Sequence, residues 1–360
     1  MNRTLRNSLA PALVVGGALA LPGLAFGAAT GSGASFPATA YTKWCQDSAL
    51  CSYASKGSTG GINDFINGVV DFAATDAPLT SQQLSDLSAK RGGVKPLYFP
   101  TLIGTITVDT NIDGISKGIN FDGRTLADIF RGAITNWSDA RIRKPNPGVR
   151  FPNAPITLCV RADGSGTSFN FTSYLSKVNP SFRTSVGASQ QPAWPTSGIT
   201  VVKGARNPGV AQCVLANKNS VGYVDISDAR NAGLTRFFAR IGKTETVKKN
   251  GKRVRVTKYI LPSFGSGAKA GNLKTIKPDL TVSLTASPAP GAYPITTTTW
   301  ILAYSNYGSA GKSSTSREDV KKVLNYVYSS TAQSGLQSLG FSALPPALAA
   351  AGKAQIKQIR

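Results

Sequence analysis

From about residue 28 onward, short apolar runs alternate with stretches in which apolar residues recur every three or four positions. That alternation belongs to an α/β fold. Ile62, Phe65, Ile66 and Val69 stand at i, i+3, i+4 and i+7 directly after Gly60-Gly61, and predict a helix with that face inward. Phe171, Tyr174, Leu175 and Val178 repeat the spacing after Gly164-Ser165-Gly166-Thr167. Thr125 followed by Asp128 predicts a capping box opening a helix with Leu126, Ile129 and Phe130 on its inner face. Val320, Val323, Leu324 and Val327 predict a further amphipathic helix, opened by Thr315 with Glu318 three residues on. Strands are expected at residues 70–74, 101–108, 156–161, 220–225 and 296–304. Asn250-Gly251 between strand-like flanks predicts a two-residue hairpin turn, and the Gly/Ser/Ala stretch 263–272 a loop leaving it.

The first residues follow another pattern. Arg3 and Arg6 precede an apolar run, from about residue 9 to 26, that Pro11, Gly16, Gly17, Pro22 and Gly23 interrupt. Ala25 and Gly27 place small residues at −3 and −1 of a cut after Gly27. Residues 1–27 therefore read as a signal peptide, with the mature protein exported. The alternative, a retained N-terminal anchor, is disfavoured by a run so short and broken. No cysteine lies near the cut, which excludes a lipoprotein anchor there. The remainder suits two domains, and no later segment approaches the ~20 apolar residues of a membrane span.

Composition adds two constraints. Four cysteines in an exported chain favour two disulfides. Cys45 and Cys51 are close enough to clip a local loop, which leaves Cys159 with Cys213; four cysteines allow three connectivities, and sequence does not choose among them. Zinc is a poor reading, with no histidine and no Cys-x-x-Cys spacing. Forty basic residues against seventeen acidic give +23, an excess that attracts anions, whether small solutes, acidic polymers or membrane surfaces.

Three glycine-bearing segments bring hydroxyls and backbone donors to the start of an expected helix: Gly33-Ala34-Ser35-Phe36-Pro37, Gly57-Ser58-Thr59-Gly60-Gly61 and Asp163-Gly164-Ser165-Gly166-Thr167. Helix N-termini hold unpaired N–H groups and a partial positive charge, so they suit oxyanions. Any one such segment is more simply a helix cap. In order, however, Ala34–Ala38, Gly57–Gly61, Val70–Leu79 and Arg161–Phe169 resemble the periplasmic phosphate-binding proteins of bacterial phosphate ABC transporters. Thr125–Trp137, Gly222-Tyr223-Val224, Tyr293–Thr296 and Leu344-Pro345 extend the resemblance over nearly the whole mature chain.

The resemblance implies a two-lobed periplasmic-binding-protein fold of type II kind, with the ligand cleft between the lobes. It implies lobe one from residues 28–103 and 298–360, and lobe two from 104–297. Ser35, Phe36, Ser58, Asp76, Arg161, Ser165, Gly166 and Thr167 would contact phosphate, with Asp163 behind Arg161. Ser35 stands where better-known members carry Thr, which keeps the hydroxyl. Arg161 would offer a planar fork of donors. Asp76, which by local sequence is only an Asp before Ala77-Pro78, would accept the proton that phosphate carries and sulfate lacks. The implied protein is periplasmic or released from the cell. It is a receptor, not an enzyme, without cofactor, whose partners are inorganic phosphate and inner-membrane permease subunits.

Three rivals stand beside it, one of them a receptor for sulfate or molybdate, against which Asp76 argues. A secreted phosphatase would need a metal-ligand cluster or a general base, and neither is evident. A surface adhesion or polyanion-binding protein on the same scaffold would draw on residues 240–258, with eight basic residues and one acid, Glu245.

Overall fold

Eleven strands occur among residues 28–360, which are the residues that the computed structural model describes; the signal read in residues 1–27 lies outside them. In chain order they are β1 (Ala29–Gly33), β2 (Cys51–Ser55), β3 (Phe72–Thr75), β4 (Pro96–Asn111), β5 (Asn120–Phe121), β6 (Thr157–Arg161), β7 (Thr200–Gly204), β8 (Ser220–Asp225), β9 (Arg240–Lys249), β10 (Lys252–Ile260) and β11 (Thr296–Tyr304). Eight form one sheet in the order β2-β1-β3-β11-β4-β8-β6-β7, and β10-β9-β5 form a second.

One strand joins the two ends of the large sheet. The first part of β4, Pro96 to Thr105, pairs antiparallel with β11, and the rest, Ile106 to Asn111, pairs antiparallel with β8. Ile106 N–H also donates to Ile295 O, just ahead of β11, at 2.8 Å. At one end β1 runs parallel to both β2 and β3; at the other β6 runs parallel to β7 and β8. Helices cover the faces, so the central strands are buried on both sides and read as nearly unbroken β-branched and apolar runs. This is the two-lobed α/β fold expected, with the crossing made by β4.

Most elements fall where the periodicity puts them, and the departures have local causes. The helix over Ser58–Ile66 buries Ile62, Phe65 and Ile66, and Phe65 stacks on Tyr304 with ring centroids 3.9 Å apart. Val69 does not share that face: it is 62 % exposed, because the chain leaves the helix and reverses at Gly68, φ +70°. The predicted capping box at Thr125 and Asp128 does not form. The helix runs Gly123–Phe130 with Asp122 at its N-cap, and Asp128 instead accepts from Arg131 and Arg141. The helix Ser314–Val327 is capped by Ser313, not Thr315, and Glu318 turns outward to Arg317 and Lys321. Part of the expected loop at 263–272 is a helix, Phe264–Ala270, because Ser263 and Ser266 cap each other reciprocally. Strands β1, β2 and β7 were not expected; all are short and poor in large apolar residues.

Both disulfides, Cys45–Cys51 and Cys159–Cys213, are formed. The first clips the helix Ala38–Ser48 to β2, and the second ties β6 to the helix Arg206–Ala216. They close loops of sequence separation 6 and 54. If chain entropy dominates, replacing Cys159 and Cys213 together by Ala costs about 4 kcal/mol and replacing the local pair about 2. Urea unfolding of the two double variants checks this; equal losses would show that loop length does not set their worth.

Candidate anion-binding site

Strands β1 and β3 run parallel, β6 runs the opposite way beyond β4, and all three turn their C-terminal ends toward one place. Ligands of open α/β sheets bind at such strand ends. After β1 the chain turns through Ala34, Ser35 and Phe36 into the helix Ala38–Ser48, with Pro37 at its N-cap. Ser35 and Phe36 are buried, and the Phe36 ring packs on Phe341 at 5.8 Å. Ser58 opens its helix behind Gly57, whose φ of +80° suits glycine. Asp76 follows β3 directly, at 1 % exposure. Arg161 ends β6, and Ser165 caps the helix Gly166–Val178 by accepting from Ser168 N–H at 3.1 Å. Asp163 therefore does not cap that helix.

These segments meet. Ser58 Oγ accepts from the Gly166 N–H at 3.1 Å and from the Asp76 N–H at 3.3 Å. Asn170 Nδ2 donates to the Asp76 carbonyl at 2.5 Å. Glycine is required at position 166, since a Cβ there would lie 2.6 Å from both Asp76 Cβ and Ser58 Oγ. All eight residues expected around the ligand are thus brought to one buried locus.

The charges are arranged asymmetrically. Asp163 takes one edge of the Arg161 guanidinium, with Nε donating to Oδ1 at 3.0 Å and Nη2 to Oδ2. Burial alone would raise the Asp163 carboxyl, but Arg161 and the Arg206 N–H, 2.8 Å away, hold it below the ordinary range. On the other edge Nη1 donates to Thr167 Oγ1 at 3.5 Å and Asn207 Oδ1 at 3.3 Å. Asp76 moves the opposite way. Burial pushes its carboxyl up to about 7, an effect that Thr299, Arg161 and Ser58 only partly offset. Its Oδ1 is buried and has no hydrogen-bond partner among the described residues.

Asn207, fully buried at the start of the helix Arg206–Ala216, was missed by the sequence reading. Its Nδ2 donates to Ser35 Oγ at 3.2 Å and to Thr167 Oγ1 at 3.3 Å. A hydroxyl that accepts from Asn207 keeps its own hydrogen to donate elsewhere. The signal that could have found it is a fourth strand-to-helix turn, Gly204-Ala205-Arg206-Asn207, after β7. Two more contacts between the same segments were equally silent: Thr59 Oγ1 donates to Gln190 Oε1 at 2.9 Å, and Arg206 Nη1 to the Ser55 carbonyl at 3.2 Å.

The site offers a guanidinium, four hydroxyls and backbone N–H groups together with the buried Asp76 carboxyl, whose Oδ1 has no hydrogen-bond partner among the described residues. Chemically it suits a small oxyanion that carries a proton of its own. Among the described residues there is no group of three or more His, Cys, Asp or Glu placed to hold a metal ion.

Asp76 gives the ligand-free protein a pH signature. Its proton is held up to about 7 in the folded state but only to 3.8 as a free side chain. Between those values the native state binds the extra proton, so stability falls as pH rises through the window and stays lower above it. Asp109, pushed up to about 8 by burial against the easing effect of Thr107, works in the same direction. The comparison is therefore parent against Asp76→Asn, ligand-free, by urea unfolding from pH 4 to 8. The parent should lose ground steadily to the variant up to about pH 7; a constant difference would mean that the fold does not hold this proton.

Comparison with known proteins bears on the family of the chain. The profile of the PBP superfamily domain matches residues 23–331. The chain is 34 % identical over 279 residues to the phosphate-binding protein PstS of Xylella fastidiosa, covering 76 % of this chain and 71 % of that one. It is 30 % identical over 342 residues to the PstS of Methanocaldococcus jannaschii, covering 91 % and 85 %. In structure it superposes with a TM-score of 0.68 on a high-affinity periplasmic phosphate-binding protein, PfluDING, bound with phosphate. That match spans 91 % of this chain and 93 % of the other at 20 % identity, a likeness of fold. The profile match over most of the chain and these relatives show that the chain belongs to the PstS family of phosphate-binding proteins.

Proposed function

We propose that the protein captures inorganic phosphate outside the cytoplasm and delivers it to the permease of an ABC importer. The observation that carries this reading is Asp76, a buried carboxyl with a free oxygen inside a ring of donors. Sulfate meeting the ionised Asp76 would leave that oxygen repelled and unpaired, whereas phosphate brings a proton to it. Whether monohydrogen phosphate meets protonated Asp76 or dihydrogen phosphate meets the carboxylate, the pair shares the same proton. A carboxyl poised at about 7 accepts either description.

In this reading Arg161 binds two phosphate oxygens, and Ser35, Ser58, Ser165 and Thr167 give hydroxyl donors. Phe36, Gly166 and Thr167 give backbone N–H groups, and Asp163 holds Arg161 in plane. We assign residues 28–103 and 298–360 to one lobe and 104–297 to the other. Contacts from both would make ligand binding and cleft closure one event, and the closed form the one a permease recognises. The family is one of solute receptors, and a nitrophenyl phosphate assay should accordingly release no nitrophenol. The ribbon at residues 240–258 makes a second contact in this reading, with a larger anionic partner outside the cleft.

Calorimetry on phosphate-stripped protein tests the site. Arg161→Ala should cost roughly 1.5–3 kcal/mol of phosphate affinity, against about 1 for Ser35→Ala. Asn207→Ala should weaken binding by a similar small amount in the parent but by much less in a Ser35→Ala background, since it acts partly through that hydroxyl. Strict additivity would give Asn207 a role in packing alone, and equal small losses at Arg161 and Ser35 would move the site elsewhere.

Selectivity is the second test. Asp76→Asn should gain sulfate binding relative to phosphate, because the amide donates where the carboxylate could not. A variant that still rejects sulfate as the parent does would remove the proton-reading role of Asp76.

A further inference from the structure

Strands β9 and β10 form a two-stranded ribbon around Asn250 and Gly251, which both have positive φ, +49° and +77°. Only Arg240 and Ile241 pair with a third strand, β5. Past Ile241 neither edge of the ribbon has a strand partner among the described residues.

The base of the ribbon is neutralised and anchored. Buried Glu245 accepts from the Gly291 N–H at 2.7 Å and pairs with Lys258 at 3.0 Å and Lys243 at 3.9 Å. Tyr259 OH donates to Asp122 at 2.9 Å. The outer half differs. Lys248 stands directly opposite Arg253, and Lys249 directly opposite Lys252. Like charges facing each other across a ladder are destabilising, and a two-stranded ribbon has little stability to lose. Lys248, Lys249, Lys252, Arg253 and Arg255 are all exposed, and none makes an ion pair among the described residues. Protecting a free edge against aggregation needs a charge or two, not two opposed cationic pairs without an acid.

We propose that this outer half is a docking site for a flexible linear polyanion with a charge on every monomer, namely inorganic polyphosphate. The proposal rests on the reading of the ribbon as an anion-facing element. Three features select the partner. Lys249 and Lys252 lie on one face, while Lys248, Arg253 and Arg255 lie on the other, because side chains alternate along a strand. A flat anionic membrane meets one face only; a flexible chain meets both. Five cations within about 10 Å of ribbon call for dense charge, which a polysaccharide with one carboxylate per one or two sugar rings does not supply. The outer half of the ribbon, residues 246–255, contains no aromatic residue, and Tyr259 at the base is engaged with Asp122, so the outer half offers no platform for the stacked bases of a single-stranded nucleic acid.

The test uses the mature chain, a ribbon variant with Lys248, Lys249, Lys252, Arg253 and Arg255 replaced by Gln, and a control with exposed Lys117, Lys144, Lys218, Lys274 and Lys277 replaced by Gln. Binding of end-labelled long-chain polyphosphate is read by fluorescence anisotropy. Orthophosphate affinity is read by calorimetry in parallel. The ribbon variant should lose polyphosphate affinity roughly tenfold or more at low salt, with a shallower salt dependence, since it releases fewer counterions. The control should lose much less, and both should keep the parent's orthophosphate affinity. Equal polyphosphate losses in variant and control would overturn the proposal in favour of diffuse net charge. Tighter ribbon-dependent binding to phosphatidylglycerol vesicles or to duplex DNA would overturn it in favour of another partner. Loss of polyphosphate binding in Arg161→Ala would overturn it by making the chain end a cleft ligand. Failure of orthophosphate binding in the parent would instead sink the cleft reading and leave the ribbon result standing.

Discussion

Arg161 sits at 5 % exposure at the end of a central strand, and a guanidinium taken that far out of water has to be met on its fork. The effective desolvation of an ion inside a protein is several kcal/mol, so an unmatched Arg161 would not stay where it is. Asp163 answers one edge; Thr167 and Asn207 answer the other. Because Asp163 is fixed in turn by the Arg206 main chain, the pair is close to neutral and rigid together. In the proposed function the locus would therefore draw an anion by oriented donors more than by excess charge, an arrangement that favours selection by shape and proton content. The close packing around the pair follows from this. A Cβ on Gly57 would run into Asp163, and one on Gly164 into Thr59.

The large sheet supplies the geometry. β1 and β3 end side by side from one direction and β6 ends from the other, each turning at once into a helix or a tight turn, so hydroxyls and N–H groups separated by more than a hundred residues converge. Strand β4 makes this possible by changing partner between Thr105 and Ile106, from β11 to β8. Loops that approach from opposite ends of the sheet face one another across that change, with Ser58 touching Gly166 and Ser35 touching Asn207.

Much of this was legible in the sequence, for a physical reason. Phe65, Ile66, Phe171 and Leu175 declare their helices because a buried stripe at helical spacing is required wherever a helix lies on a sheet. The strand limits Ser220–Asp225 and Thr296–Tyr304 were readable because both faces are buried and no polar break intrudes. The site was readable as an ordered set of short motifs, each weak alone. What stayed hidden was whatever depends on partners distant in sequence. β1 and β2 are Gly, Ser and Ala rich, and become strands only because each has a parallel neighbour. Asn207 gives no local sign beyond its place in a strand-to-helix turn, since its three partners lie at positions 35, 161 and 167. Caps were misread at Thr125 and Thr315 because Ser, Thr and Asp abound near every helix start, and local sequence does not say which of them leads the chain in.

The two disulfides place covalent stiffness unevenly. One lies at the β2 edge of the sheet and the other beside β6, and neither spans the change of partner in β4. Each end is stapled to itself, and only the main chain, hydrogen bonds and packing cross between them. Reduction of the bonds would then soften the ends while leaving the articulation as it was. In an oxidising compartment the same bonds stiffen the two ends and leave the change of partner in β4 without a covalent staple, so on the proposed reading flexing between the lobes strains neither bond.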